Sequence, residues 1–356
     1  MFNSLKSLFS FGSVLGVDIG TASIKVVEIA KSSPKPRLKN YGILQTYGHL
    51  DRLNSAIQTN SLKISENETT KLLKKLIKET KFSSRNAIAS IPAFSAFITL
   101  IEMPMMSEAE INKSMAFQVK QHIPLPISDV AIEWIKIGER DEEGALKQQI
   151  LFISIPKETI SRYQNIFKMA GLHLMALEVE SIPLVRALAA EPKTTVIADI
   201  GAYSTNIVVT ENYFLKSEAT TDFSGTSLTQ AIANGLEISP KRAEELKKIK
   251  GLKATGGEYE LSTLPQPYLD VIIGEVMRAK DDYEKNYNNK VERVLLSGGS
   301  ANLIGIEEYF ERQLNIPVGI GNSFAQLSYP PEINLLAREL NPELAVAIGL
   351  GIKNFI

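Results

Sequence analysis

Two segments of the chain repeat one pattern of apolar and polar positions. Residues 15–29 read LGVDIGTASIKVVEI and residues 196–209 read VIADIGAYSTNIVV. Each is an apolar run, an Asp-Ile-Gly, a few small or hydroxylated residues and a second β-branched run, which predicts two strands joined by a tight turn. Matching hairpins half a chain apart predict a duplicated core with a ligand between the copies. A third segment, VLLSGGSANLIGI over 294–306, reads as a buried strand, a Gly-Gly turn and a helix start.

The remaining pattern fills in the elements. A strand is predicted over 38–47, and a helix over 68–81 with Leu72, Leu73, Leu76 and Ile77 on one face and lysines on the other. A strand follows over 86–92. Residues 94–171 change character and run β-α-β-β-α. Their elements are a strand over 96–103, a helix over 107–120 opened by a Ser107/Glu110 capping pattern, and a proline-punctuated loop over 122–126. Strands over 130–137 and 149–155 then flank a charged tip, and a helix over 157–170 stops at Gly171. Beyond them, helices are predicted over 178–190, 223–235, 239–250, 269–287 and 341–354, with a loop over 253–267.

The paired turns carry the candidate chemistry. A turn of Gly, Ser and Thr leaves backbone N–H groups pointing into one concavity, which binds phosphate oxygens. Gly20 and Gly201 let a phosphate approach the main chain, and Thr21, Ser23, Ser204 and Thr205 add hydroxyl donors. Asp18 and Asp199 end buried strands and call for a positive partner. Mg²⁺ suits them, because it takes one or two carboxylates, waters and phosphate oxygens. Lys25, on the returning strand, either neutralises a phosphate or faces solvent. One Asp-x-Gly turn alone is an ordinary hairpin. Two copies followed by Gly298, Gly299 and Ser300, where a flat ring can lie on the backbone, point to a nucleotide.

Composition narrows the classes. The 356 residues, 44% hydrophobic and 22% charged, describe a globular chain of two or more domains. A net charge of -1 argues against a general nucleic-acid binder. Cysteine is absent, and His49, His122 and His173 are not spaced for metal ligation. No apolar stretch reaches the length of a membrane span. Residues 1–11, MFNSLKSLFSF, have no small-residue cleavage site and run into the Asp18 strand, so they do not read as a secretion signal. Phe2, Leu5, Leu8 and Phe9 can share one helical face and touch a membrane surface or a partner, the alternative being a poorly ordered leader. The expected location is cytoplasmic.

In this order and spacing the three segments resemble the two phosphate loops and the adenosine loop of the superfamily of actin, DnaK-type chaperones and sugar kinases. More narrowly, the chain resembles the PilM family of type IV pilus assembly and its relative FtsA. The segments that carry this are IEMP (101–104) before the Ser107 helix, QHIPLPISD (121–129), AGL (170–172) leading to LEVE (177–180), and AEELK (243–247).

The resemblance implies an α/β, two-lobed actin-like (ribonuclease-H-like) ATPase fold with a small α+β insert in the first lobe. It implies a leader over 1–12, a first lobe over 13–93, 172–192 and 330–356, and the insert over 94–171. The second lobe would cover 193–222 and 268–329, with a small subdomain over 223–267. It further implies ATP or ADP as ligand, with Asp18 and Asp199 near Mg²⁺ largely through water. The phosphates would rest on Gly20, Thr21, Ser23, Lys25, Gly201, Ser204, Thr205 and Asn206. Glu244 and Lys247, with Gly225, would meet ribose and base, and Gly298, Gly299 and Ser300 the adenosine. Glu180 would position the attacking water.

Two departures stand out: Tyr203 is bulky for its turn, and residues 223–226 read FSGT where Phe-Gly-Gly is usual. The last residues, KNFI, do not read as the linker and amphipathic membrane helix of FtsA, which favours the PilM side. The expected function is an ATP-binding scaffold or switch of the pilus assembly complex, with at most slow Mg-dependent hydrolysis. It would bind the cytoplasmic tail of a PilN-like membrane protein in a groove between insert and first lobe, and be recruited through it to the inner membrane face. The alternatives are an FtsA-like filament former and a small-molecule kinase, for which Asp222 is the candidate base.

Overall fold

The computed structural model describes residues 12–46, 65–122, 125–142, 144–253 and 259–355, so the 1–11 leader lies outside it. The strands β1 (Ser13–Ile19), β2 (Ser23–Ala30) and β3 (Arg37–Gln45) lead to α1 (Glu66–Thr80) and β4 (Asn86–Ile91). Next come β5 (Phe97–Pro104), α2 (Glu108–His122), β6 (Val130–Glu142), β7 (Ala145–Pro156), α3 (Lys157–Ala170), β8 (His173–Val179) and α4 (Ser181–Leu188). The second half holds β9 (Thr195–Ile200), β10 (Thr205–Glu211), β11 (Phe214–Thr221), α5 (Gly225–Gly235), α6 (Pro240–Lys250) and α7 (Tyr259–Thr263). It closes with α8 (Gln266–Tyr287), β12 (Arg293–Ser297), α9 (Ile306–Leu314), β13 (Val318–Ile320), α10 (Asn334–Glu343) and α11 (Ala345–Ile352).

The duplication is visible in the sheets. The first has the order β3-β2-β1-β4-β8 and the second β11-β10-β9-β12-β13, a strand-for-strand repeat. In both, the hairpin pair is antiparallel and the next two strands join in parallel. Such central strands are covered on both faces, so β1 reads as a continuous apolar run, buried from Val14 to Asp18. A separate three-stranded sheet, β5-β7-β6, forms the body of the insert.

Helices cover the sheets where their stripes predict. Ser65 caps α1 by accepting the Glu68 amide, and Leu72, Leu73, Leu76 and Ile77 are buried under it. Although α3 follows the insert strands in sequence, its Tyr163, Ile166 and Phe167 join the core of the first sheet. Between the lobes, α4 and α11 cross so closely that a Cβ on Gly349 would lie 1.9 Å from the Pro183 carbonyl oxygen.

Several elements differ from the sequence pattern. Residues 173–179 form β8, and the helix expected from 178 starts at Ser181. The strand is only half-buried at the sheet edge, so it lacks a clean alternation. Tyr259–Thr263 is helical where a loop is expected over 253–267, because Leu261 packs on Ile232, Ala233 and Ala243. The edge strands β11 and β13 carry no pattern that marks them in advance.

Candidate functional site

The two Asp-Ile-Gly turns converge on one cleft between the lobes. Asp18, Gly20, Thr21, Ser23 and Lys25 line it from the first hairpin, and Asp199, Gly201, Ser204 and Asn206 from the second. Each turn closes in the same way: the Gly20 amide donates to the Ser23 carbonyl and the Gly201 amide to the Ser204 carbonyl, both at 3.0 Å. The residue opposite each aspartate also faces the cleft. Lys25 is the cross-strand partner of Asp18, and Asn206 that of Asp199.

Lys25 therefore turns inward. Its Nζ lies 3.3 Å from Asp18 Oδ2, while the Ser90 hydroxyl donates to Asp18 Oδ1 at 3.0 Å. Burial opposes its charge, but Asp18, Asp199 and Glu343 outweigh this and hold its pKa above the ordinary lysine value. Asn206 is 3% exposed, and neither its amide nitrogen nor its carbonyl oxygen has a hydrogen-bond partner. A buried amide in that condition is costly unless a ligand or water completes it.

The carboxylates outnumber the cation. Burial pushes the Asp199 carboxyl up to about 6, with Asp18 adding to it and Lys25 and Ser297 opposing. Glu180 lines the same cleft just before α4, and its Oε1 accepts the Ala93 amide at 3.0 Å. Burial, and then the charges of Asp18, Asp199 and Glu218, push its carboxyl up to about 8 against that hydrogen bond. The cleft thus has a deficit of positive charge. Among the described residues there is no cluster of three or more potential metal-ligating His, Cys, Asp or Glu side chains. A pair of carboxylates is instead what Mg²⁺ takes when it arrives with its waters and a phosphate ligand.

A second group of the expected residues lies together beside the cleft. Gly298 has φ +80° and ψ 170°, and a Cβ there would sit 2.5 Å from the Ile200 carbonyl oxygen and 3.0 Å from Asp199 Oδ1. A Cβ on Gly225 would meet Ser300 Oγ at 2.5 Å. Gly225 uses both of its polar backbone atoms internally: its amide donates to the Gly201 carbonyl and its carbonyl accepts Lys247 Nζ, both at 2.9 Å. Lys247 also pairs with Glu244 at 2.6 Å, and burial lowers its pKa despite that carboxylate. Gly299 opens the short turn that holds Ser300.

Some expected positions fall elsewhere. The Thr205 hydroxyl points away from the cleft and donates to the Phe223 carbonyl at 2.7 Å. Adjacent strand residues face opposite sides, so Thr205 and Asn206 cannot both reach one ligand. Asp222, the candidate base of a kinase, is exposed and does not line the cleft. The sequence pattern gives no sign of Pro92, Phe94, Pro342 and Glu343, which line the cleft because the ends of β4 and α10 reach it. Among the described residues, no helix is long and apolar enough to cross a membrane.

Comparison with known proteins places this architecture. The family model of type IV pilus assembly protein PilM matches residues 16–355. The solved structure of a PilM-PilN type IV pilus biogenesis complex superposes with a TM-score of 0.82 at 20% identity, over 98% of this chain and 100% of that one. The ethanolamine utilization protein EutJ of Carboxydothermus hydrogenoformans gives 0.56 at 16% identity over 97% and 90%. MreB5 of Spiroplasma citri bound to ADP gives 0.52 at 12% identity over 96% and 95%. The fold is the two-lobed actin-like α/β fold that the family resemblance implies, and the chain belongs to the type IV pilus assembly protein PilM family.

Proposed function

We propose that this protein is a nucleotide-dependent scaffold of the type IV pilus assembly complex, holding ATP or ADP with Mg²⁺ in the interlobe cleft and the cytoplasmic tail of a PilN-like membrane protein on its insert. The observation that carries the nucleotide reading is the cleft itself. Two equivalent turns bring in Asp18 and Asp199, a cation and a wholly unpartnered buried amide, Asn206. Two of the similar solved structures support the two halves of the reading, one as a complex with PilN and another bound to ADP.

In this reading the Gly20 and Gly201 turns, with Thr21, Ser23 and Ser204, receive the phosphates. Lys25 and Asn206 meet phosphate oxygens from either side. Asp18 and Asp199 hold Mg²⁺ largely through water, and the ion neutralises the phosphates and the carboxylates together. Gly298, Gly299 and Ser300, with Glu244 and Lys247 behind Gly225, form the adenosine side. The enclosed space is about 90 Å³, well short of the roughly 300 Å³ of a small-molecule site, so the lobes open to admit a nucleotide. Glu180 is placed to accept a proton from water once a cation lowers its pKa, which is consistent with slow hydrolysis rather than rapid turnover.

Coupling to a partner has a physical route. Phe94 lines the cleft and stands 49% exposed at the root of the insert, three residues before β5. Phe97, Met105 and Phe117 add exposed apolar surface on the insert, the kind of surface that takes the apolar anchors of a short peptide. The PilN-like tail then holds the protein at the inner face of the membrane.

Calorimetry with ATP and ADP in Mg²⁺, on the wild type, Asp18→Ala and Asp199→Ala, tests the reading. Micromolar binding lost in both variants supports it. A folded wild type that binds neither nucleotide refutes the nucleotide half and leaves an interaction scaffold on an ATPase fold.

A further inference from the structure

The insert touches the second lobe as well as the first, at a point where two strands are bulged. β11 is the edge strand of the second sheet, and its register with β10 shifts between Val209 and Thr210, which leaves Lys216 without a ladder partner. A bulge of this kind re-aims a side chain. Leu215 and Lys216 are consecutive and both buried, and Lys216 Nζ reaches out of its own lobe to donate to Gln149 Oε1 of the insert at 2.7 Å. The insert is bulged at the same level. Its β6–β7 register shifts between Lys136 and Gly138, and Gly138 is the partner of Gln149. A Cβ on Gly138 would stand 3.3 Å from Gln149 Oε1 and 3.6 Å from Lys216 Nζ.

From Gln149 the polar contacts run through the insert and back to the second lobe. Gln149 Nε2 donates to Glu102 Oε1 at 3.1 Å, and the Arg140 guanidinium lies 3.3 Å from the same oxygen. Arg140 also donates to the Asn286 carbonyl at 2.5 Å and stands over the Tyr287 ring, 5.2 Å from its centroid, at the end of α8. Two cations therefore cross between the lobes in opposite directions. The crossing lies away from the nucleotide cleft: Thr220 is the β11 partner of Asn206, and Lys216 is roughly 13 Å farther along that strand. The two places are still joined, because Pro92 and Phe94 line the nucleotide cleft and lead into β5, which carries Glu102.

The insert belongs mechanically to the first lobe. Both of its chain connections lead there, and Ile137, Leu151 and Ile153 join the first-lobe core, with Leu215 as the apolar contribution of β11. Rotation of the second lobe away from the first therefore draws Lys216 off Gln149 and Asn286 off Arg140. The contact is built to part. Lys216 is 6% exposed, and burial lowers its pKa against the opposing charges of Glu211, 3.5 Å away, and Glu102. Its ammonium regains water on opening, so the buried charge fixes one geometry without making it irreversible.

We propose that Lys216, Gln149, Glu102 and Arg140 form a latch between insert and second lobe that holds the closed arrangement of the lobes and parts when the cleft opens. A partner that draws the insert away then opens the cleft, and a ligand that holds the lobes together keeps the insert latched. The latch itself does not depend on what the cleft binds, whereas its effect on exchange rests on the nucleotide reading.

The test uses the full chain, whose lack of cysteine lets two spin labels be placed at will. Glu133→Cys on the insert and Asp282→Cys on α8 are exposed and outside the latch. Electron–electron distance measurement without nucleotide should give a narrow distribution in this labelled parent, and a longer, broader one when Arg140→Gln or Lys216→Met is added. In stopped flow, both variants should release a fluorescent ATP analogue at least about tenfold faster, the equivalent of one charge-assisted hydrogen bond lost from the closed state. Arg242→Gln removes an exposed pair within α6 and should change neither readout. Circular dichroism checks folding. Should Lys216→Met not fold, Arg140→Gln, at a side chain 33% exposed, carries the test alone. Distances that are alike in the parent and the folded variants overturn the latch. Longer distances with unchanged release overturn its control of the cleft. If the parent binds no nucleotide, the nucleotide reading fails, and the distances alone decide the latch.

Discussion

Glu180→Gln isolates the charge balance of the cleft. The carboxyl is held near pKa 8, up from an ordinary 4.5, by burial and by Asp18, Asp199 and Glu218. The folded chain therefore binds this proton more tightly than the unfolded chain does. Its contribution to stability is complete below about pH 4.5 and is lost as pH rises through about 8. Each pH unit in that window costs about 1.4 kcal/mol, or about 3 kcal/mol between about pH 5 and about pH 7.5. Water in the open cleft reduces this to about 2 kcal/mol. Glutamine keeps an oxygen for the Ala93 amide and cannot ionise, so the variant should lack that part of the slope. Urea unfolding of the nucleotide-free protein at several pH values reads it directly. The variant should match the wild type at about pH 5 and exceed it by about 2 kcal/mol at about pH 7.5. Its nucleotide affinity should stay close to wild type while any hydrolysis falls by about a hundredfold or more. Parallel pH profiles for the two proteins would refute the account of a carboxyl strained by its neighbours.

Gly298→Ala should lower nucleotide affinity at least tenfold in calorimetry, because the added Cβ meets the Ile200 carbonyl and Asp199 at a φ of +80°, in backbone that costs about 1–3 kcal/mol for other residues. Gly349→Ala puts a Cβ 1.9 Å from the Pro183 carbonyl oxygen; thermal unfolding should show a loss at or above the upper end of the ~1–3 kcal/mol typical of overpacking. Arg186 grips Glu178 with two hydrogen bonds of 2.8 and 3.0 Å and also bonds the Gly349 carbonyl. Arg186→Met should cost about 3 kcal/mol near neutral pH in urea unfolding. Burial opposes ionisation of Glu178, but Arg186 and Lys353 hold its pKa below the ordinary 4.5. That stabilisation is present above 4.5 and fades as pH falls through the lowered value, so the gap between variant and wild type should narrow in acid.

The sequence by itself determined the parts of this protein that local rules govern. The paired hairpins are legible because alternating and β-branched runs around Asp-Ile-Gly need only neighbours a few residues away. The stripe and Ser65 cap of α1 are local in the same sense. The spacing of seven residues from Asp18 to Lys25, and again from Asp199 to Asn206, even contains the cross-strand partner, once the register of a two-strand turn is applied. The same alternation sends Thr205 to the far side, against the expectation that it would join Asn206 on the phosphates.

Tertiary structure decided the rest. The edge strands β8 and β13 take their conformation from parallel neighbours far away in sequence, so no local pattern announces them. Phe94, Pro342 and Glu343 reach the cleft only because the insert root and the end of α10 converge on it. The raised pKa of Glu180 needs burial and the charges of Asp18, Asp199 and Glu218 in one low-dielectric space, which only the folded chain assembles. Hydrogen-bonding periodicity is short-ranged along the chain, whereas burial and electrostatic balance sum over every element that packs nearby.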